Sequence, residues 1–109
     1  MTTDIEEPLR VIVRAADEPP TILLEGELDP HTAPLLEQAL NDLTSRGSRD
    51  VTLDLSGLEF MDSSGLRVII SAHKDFEAAG ATLTLRNPTA TIGRLLDVTN
   101  LRSHLRVED

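Results

Sequence analysis

The residues best suited to chemistry concentrate in one short run, Asp62-Ser63-Ser64-Gly65, after the apolar pair Phe60-Met61 and before the helical pattern Leu66-Arg67-Val68-Ile69-Ile70. At a strand-to-helix junction, two hydroxyls and a carboxylate meet unpaired backbone N–H groups and the positive end of a helix dipole. A serine nucleophile would need a base, but His31, His73 and His104 stand in no recognisable relation to Ser63, and Gly-x-Ser-x-Gly does not occur. A phosphate-cradling Gly-x-x-x-x-Gly-Lys loop is also absent, so nucleotide binding by this chain alone is not expected. The histidines lack ligand spacing and there is no cysteine, which removes thiolate metal sites, thiol nucleophiles and disulfides. No catalytic residue, metal or cofactor is therefore expected. Two readings remain: a helix cap supplied by Asp62 or Ser63, or a hydroxyl on which another protein acts. Gly65, in the first turn, would keep the backbone open to close approach by another molecule.

The elements that must position this run can be read from periodicity. Leu9–Arg14 alternates as a strand, Ala15–Pro20 turns, and Thr21–Glu25 makes a second strand, so a hairpin is predicted. Gly26 to Thr32 reads as a polar loop before a helix carrying Leu36, Ala39, Leu40 and Leu43. Pro34 is tolerated only in the first turn, which makes Thr32 the cap and leaves Asp29 free in the loop. That helix closes near Arg46-Gly47. Val51–Leu55 is the third strand, with Val51, Leu53 and Leu55 on one face and Thr52 and Asp54 on the other. The second helix buries an arc of Leu66, Ile69, Ile70, Ala72, Phe76 and Ala79, opposite Arg67, Ser71, Lys74 and Asp75. Thr82–Leu85 is a fourth strand. Asn87-Pro88 reads as cap and first helical position of a third helix with Ile92, Leu95 and Leu96, and Asn100 takes a left-handed exit. The tail Leu101–Val107 adds an edge strand. An α/β fold follows: a mixed four- to five-stranded sheet, an N-terminal hairpin then βαβα crossovers, with helices mainly on one face.

The 109 residues fit one domain spanning 1–109, with a flexible start over about 1–8 in which Asp4, Glu6 and Glu7 are solvated. Such a chain buries roughly 65% of its unfolded surface. With only Phe60 and Phe76 as aromatics, aliphatic residues must fill the core. The net charge of −9 and the dearth of aromatics exclude nucleic acid, which requires clustered cations or stacking platforms. Neither a signal peptide nor a membrane-length apolar run is present, which predicts a cytoplasmic protein with no membrane role.

Three segments together resemble the STAS domain, and within it the bacterial anti-sigma factor antagonists: Gly26-Glu27-Leu28-Asp29; Leu53 to Leu66 with its core Phe60-Met61-Asp62-Ser63-Ser64-Gly65-Leu66; and Leu95-Leu96-Asp97-Val98-Thr99-Asn100-Leu101. The likeness runs from Leu9 to about Leu101. It implies a non-enzymatic switch, a monomer or weak homodimer, that captures an anti-sigma factor while unmodified and so frees a sigma factor. The anti-sigma factor, itself a serine kinase, would phosphorylate Ser63, causing release, and a phosphatase would reset it. The resemblance also places Asp29 beside the phosphorylation site, and the partner-binding set is taken as Asp29, His31, Met61, Asp62, Ser64 and Gly65. The chain departs from the pattern at Asn100, where glycine is common, and it stops soon after the tail strand, where relatives often continue into another helix. The competing expectation is a STAS scaffold or docking subunit of a stress-sensing or lipid-transport complex. A ligand sensor or small enzyme has no catalytic constellation to support it.

Overall fold

The computed structural model describes residues 8–109. Of the expected flexible start over about 1–8, residues 1–7 lie outside the described residues; its last residue, Pro8, accepts a hydrogen bond at its carbonyl from Glu27 N (2.7 Å). Eight elements follow in order: β1 (Leu9–Arg14), β2 (Thr21–Leu28), α1 (Ala33–Ser45), β3 (Val51–Met61), α2 (Ser63–Ala78), β4 (Leu83–Arg86), α3 (Ala90–Val98) and β5 (Arg106–Glu108). The five strands lie side by side in sequence order, with β1 antiparallel to β2 and each later pair parallel.

That order explains the layering. Parallel neighbours need a crossover, crossovers are right-handed, and three of them stepping the same way across a sheet put their helices on the same face. The covered face is apolar along the register: Ile22 lies opposite Leu53, Leu53 opposite Leu85, and Val51 opposite Leu83. Leu36 of α1, Ile69 of α2 and Leu96 of α3 join these residues in one buried core. The other face carries Thr52, Asp54, Thr84, Arg86 and Arg106. The tail strand is shorter and later than expected. The Arg102 guanidinium holds it to α3, with Nε donating to Asp97 Oδ1 (2.7 Å) and Nη1 to Asp109 Oδ1 (3.0 Å).

The structure corrects several boundaries. β2 and β3 do not stop at Glu25 and Leu55; they run on to Leu28 and Met61, through Gly26, which reads as loop in the sequence, and Gly57. Gly26 has φ +113°, and a Cβ there would lie 2.2 Å from Pro8 O, while one on Gly57 would lie 2.8 Å from Glu25 Cγ. The register shifts between Leu23 and Glu25 and between Gly26 and Glu27, so these glycines let the ladder bulge and continue. Helix α3 is capped by Thr89 rather than Asn87. Asn87 N donates to Glu108 O (2.8 Å), which holds that residue to the sheet and delays the helix. Ala79 is exposed, because α2 ends at Ala78. Gly47 (φ +87°) and Asn100 (φ +59°) take the left-handed exits expected of them.

Candidate functional site: two adjoining strand ends

The extension of β2 and β3 is what builds the site. Leu28 pairs with Met61 at the far end of the parallel ladder, so Asp29 and Asp62 are the first residues beyond two neighbouring strands. Asp62 N donates to Leu28 O (3.2 Å), which ties the two exits together. Two acidic turns, each opening a helix, therefore stand side by side.

In the second turn Asp62 is the cap. Its backbone is extended, and Oδ1 accepts from Ser64 N (2.9 Å) and Gly65 N (3.3 Å), two of the donors that a helix start leaves unpaired. Ser63 is thereby relieved of capping. It is the first residue of α2 and is exposed, and among the described residues its hydroxyl makes no hydrogen bond. Ser64 is half-buried. Gly65 is buried, and a Cβ there would lie 2.8 Å from Leu28 Cγ, Leu28 Cδ2 and Met61 Cγ. The close approach that Gly65 allows is thus to the protein's own core rather than to another molecule. Met61, 5% exposed, is likewise core, so these two residues support the surface from beneath.

In the first turn Asp29 is not free. Its Oδ1 accepts from His31 N (2.9 Å) and Thr32 N (3.0 Å) and lies 3.2 Å from Thr32 Oγ1. Thr32 Oγ1 in turn accepts from Asp29 N and donates to Glu27 O (both 2.9 Å). Thr32 occupies the cap position with helical backbone angles, but its side chain bonds no helix N–H; it locks the turn behind Asp29. His31 is exposed. Hydrogen bonding to the Thr32 backbone N–H, above all, holds the Asp29 carboxyl below the usual aspartate range, aided by the Thr32 hydroxyl and His31. A carboxyl depressed in this way stabilises the fold above its unfolded value of about 3.9, and that contribution is lost as pH falls through the lower folded value. Asp29→Asn should therefore flatten the acid end of a thermal-stability profile below about pH 4. A profile unchanged at that end would refute the role of this carboxylate.

The Asp62 cap makes a further prediction. Asp62→Ala should lower stability by about 0.5–2 kcal/mol, while Asp62→Asn, which keeps an acceptor, should lose less. The check is a lower urea midpoint at constant m. Equal midpoints for the alanine variant and the parent would show the cap to be idle.

Sequence reasoning passed over three residues here. Thr89 Oγ1 accepts from Ile92 N (3.3 Å) and donates to Leu58 O (3.2 Å), pinning the start of α3 to the extended part of β3. Phe60, two residues before Asp62 and one of only two aromatics, is 47% exposed, whereas Phe76 is buried. Arg67, one turn into α2, shares a shallow groove of about 450 Å³ with Ser63; only its exposed helical position was legible.

The family model described as "Mlab, STAS domain" matches residues 11–107. The anti-sigma-B factor antagonist of Staphylococcus epidermidis is 33% identical over 84 residues, spanning 77% of this chain and 78% of that protein. An anti-sigma factor antagonist from Mycobacterium paratuberculosis superposes with a TM-score of 0.75 at 25% identity, covering 92% of this chain and 85% of that one. SpoIIAA, an anti-sigma factor antagonist solved in its unphosphorylated form, shares the fold with a TM-score of 0.75 at 22% identity over 90% of this chain and 87% of its own. It has also been solved, from Bacillus, in its phosphorylated form, with a TM-score of 0.67 at 21% identity over 90% of each chain. With nearly its whole length matched, the chain belongs to the STAS family. Among the described residues, no helix is long and apolar enough to cross a membrane.

Proposed function

We propose that this protein is an anti-sigma factor antagonist: a non-enzymatic binding switch that captures an anti-sigma factor with serine-kinase activity and lets go when Ser63 is phosphorylated. The observation that carries the reading is the division of labour at the start of α2. Asp62 does the capping, so the adjacent Ser63 hydroxyl stands exposed at a rigid helix start without a structural task. The names of the relatives support it. In the forward step a bond forms between Ser63 Oγ and the γ-phosphorus of ATP as the bond to the β–γ bridging oxygen breaks; ADP leaves and the hydroxyl proton passes to a base on the kinase. In the reset, a phosphatase directs water to the phosphorus, the Oγ–P bond breaks, and orthophosphate departs.

The added group carries about −1.5 to −2 charge near neutral pH. At a helix N-terminus it meets a favourable dipole of about 0.3–1 kcal/mol, so the fold persists. Beside Asp62 and the held carboxylate of Asp29, it deepens a negative surface and opposes a partner fitted to the unmodified serine. Asp29, His31, Asp62 and Ser64 are the contacts proposed for that partner. The test is incubation with the cognate kinase and ATP followed by peptide mapping. One phosphate on the peptide containing Ser63 and none in Ser63→Ala is the expected result; stoichiometric labelling of Ser63→Ala would overturn the assignment. A docking subunit of a larger assembly would instead run as a stable large particle in light scattering.

A further inference from the structure

We infer that Arg67 is the intramolecular counter-ion of phosphorylated Ser63. This rests on the reading of Ser63 as the phosphate acceptor and adds what becomes of the phosphate once it is there. Ser63 and Arg67 stand at i and i+4 of α2, a spacing that brings Cβ atoms to about 5–6 Å. Helical side chains lean toward the N-terminus, so the long arm of Arg67 tilts back over the turn that begins with Ser63. Both line the same groove, together with the apolar Leu66, Ile70 and Leu101 and with Ser71 and Lys74. Among the described residues neither Arg67 nor Lys74 forms an ion pair, whereas Arg10 and Arg102 each do.

The charges around the position fit a pair rather than a diffuse field. An anion one turn N-terminal to a cation is the favourable order on a helix, and a guanidinium meets phosphate oxygens through a planar fork. Lys74 is eleven positions along, about 16 Å up the axis, too far to serve. Asp62 precedes Ser63 with its Oδ1 already occupied by two N–H groups, and Asp29 and His31 belong to the neighbouring turn. From the segment after α3 only the apolar Leu101 faces the groove. Phosphorylation thus does two things in one place. It adds an anion to the partner-facing surface, and it ties that anion to Arg67 one turn along α2.

The test installs phosphoserine at position 63 of the full chain during translation and follows its second ionisation by ³¹P NMR. Free phosphoserine titrates near about 6. Arg67→Gln should raise the value in the protein by about 0.3–0.7 unit, Lys74→Gln should leave it in place, and Arg67→Lys should recover part of the difference. An unmoved value in Arg67→Gln, or an equal rise in Lys74→Gln, overturns the pairing. No kinase enters this measurement, so the two readings fail separately. A clear response to Arg67→Gln beside a Ser63 that the cognate kinase never labels sinks the proposed function and keeps the pair; labelling without a response does the reverse.

Discussion

Ser63→Asp should bind the anti-sigma factor about tenfold or more weakly than the parent in calorimetric titration, while Ser63→Ala should bind within about twofold. The asymmetry comes from the site's own construction. Ser63 is not the cap, so removing its hydroxyl leaves the bonds from Ser64 N and Gly65 N to Asp62 intact and exposes no unpaired donor. A carboxylate at the same position is welcomed by the helix dipole, at about 0.3–1 kcal/mol, and both variants should melt within a few degrees of the parent. The loss of affinity must then come from the surface itself: like charges juxtaposed across an interface cost several kcal/mol, and about 1.4 kcal/mol is already a factor of ten. Equal affinities for the aspartate variant and the parent, with the fold intact, would remove electrostatic release from the mechanism.

Much of the frame that carries Ser63 is legible in the sequence for plain reasons. Alternation marked β1 and β4, Pro34 limited where α1 could begin, and Gly47 and Asn100 showed where two helices end, because each of these signals is local. The unread parts depend on partners distant in the chain. Gly26 looks like a loop residue, and Gly57 lies past the alternation that marks β3, until the Pro8 carbonyl and the Glu25 side chain are seen filling the space where a Cβ would go. Asn87-Pro88 has the pattern of a helix start, but the carbonyl of Glu108 keeps Asn87 in the sheet. Asp29 reads as a free loop carboxylate because its three bonds close within a turn that no periodicity reveals. The proposal of Ser63 as an acceptor rests on resemblance; physical reading by itself reached only a cap or a target. What the structure adds is that Asp62 is committed to the cap and Ser64 is half-buried, which leaves Ser63 as the exposed hydroxyl of the run.

Gly26→Ala should destabilise the protein by about 3–5 kcal/mol, a large share of the 5–15 kcal/mol that holds a typical domain together. Two penalties combine. A side chain at φ +113° is strained wherever it sits, at about 1–2 kcal/mol or more, and here the new methyl would also meet Pro8 O at 2.2 Å, a backbone atom that cannot swing aside. Gly47→Ala separates them, because Gly47 has φ +87° but nothing within 4 Å of its added Cβ; it should lose only the conformational part, about 1–2 kcal/mol. On a domain of this size that difference is roughly 10 °C in melting temperature. The consequence reaches the site. The bulge at Gly26 carries β2 on to Leu28, Leu28 pairs with Met61, and that pair sets Asp29 beside Asp62. Relieving the clash by slipping β2 would break this pairing, so Gly26→Ala should also lower partner affinity and Gly47→Ala should not. Melting temperatures that fall equally in the two variants would show that the approach of Pro8 to Gly26 does not hold the register on which the two acidic turns depend.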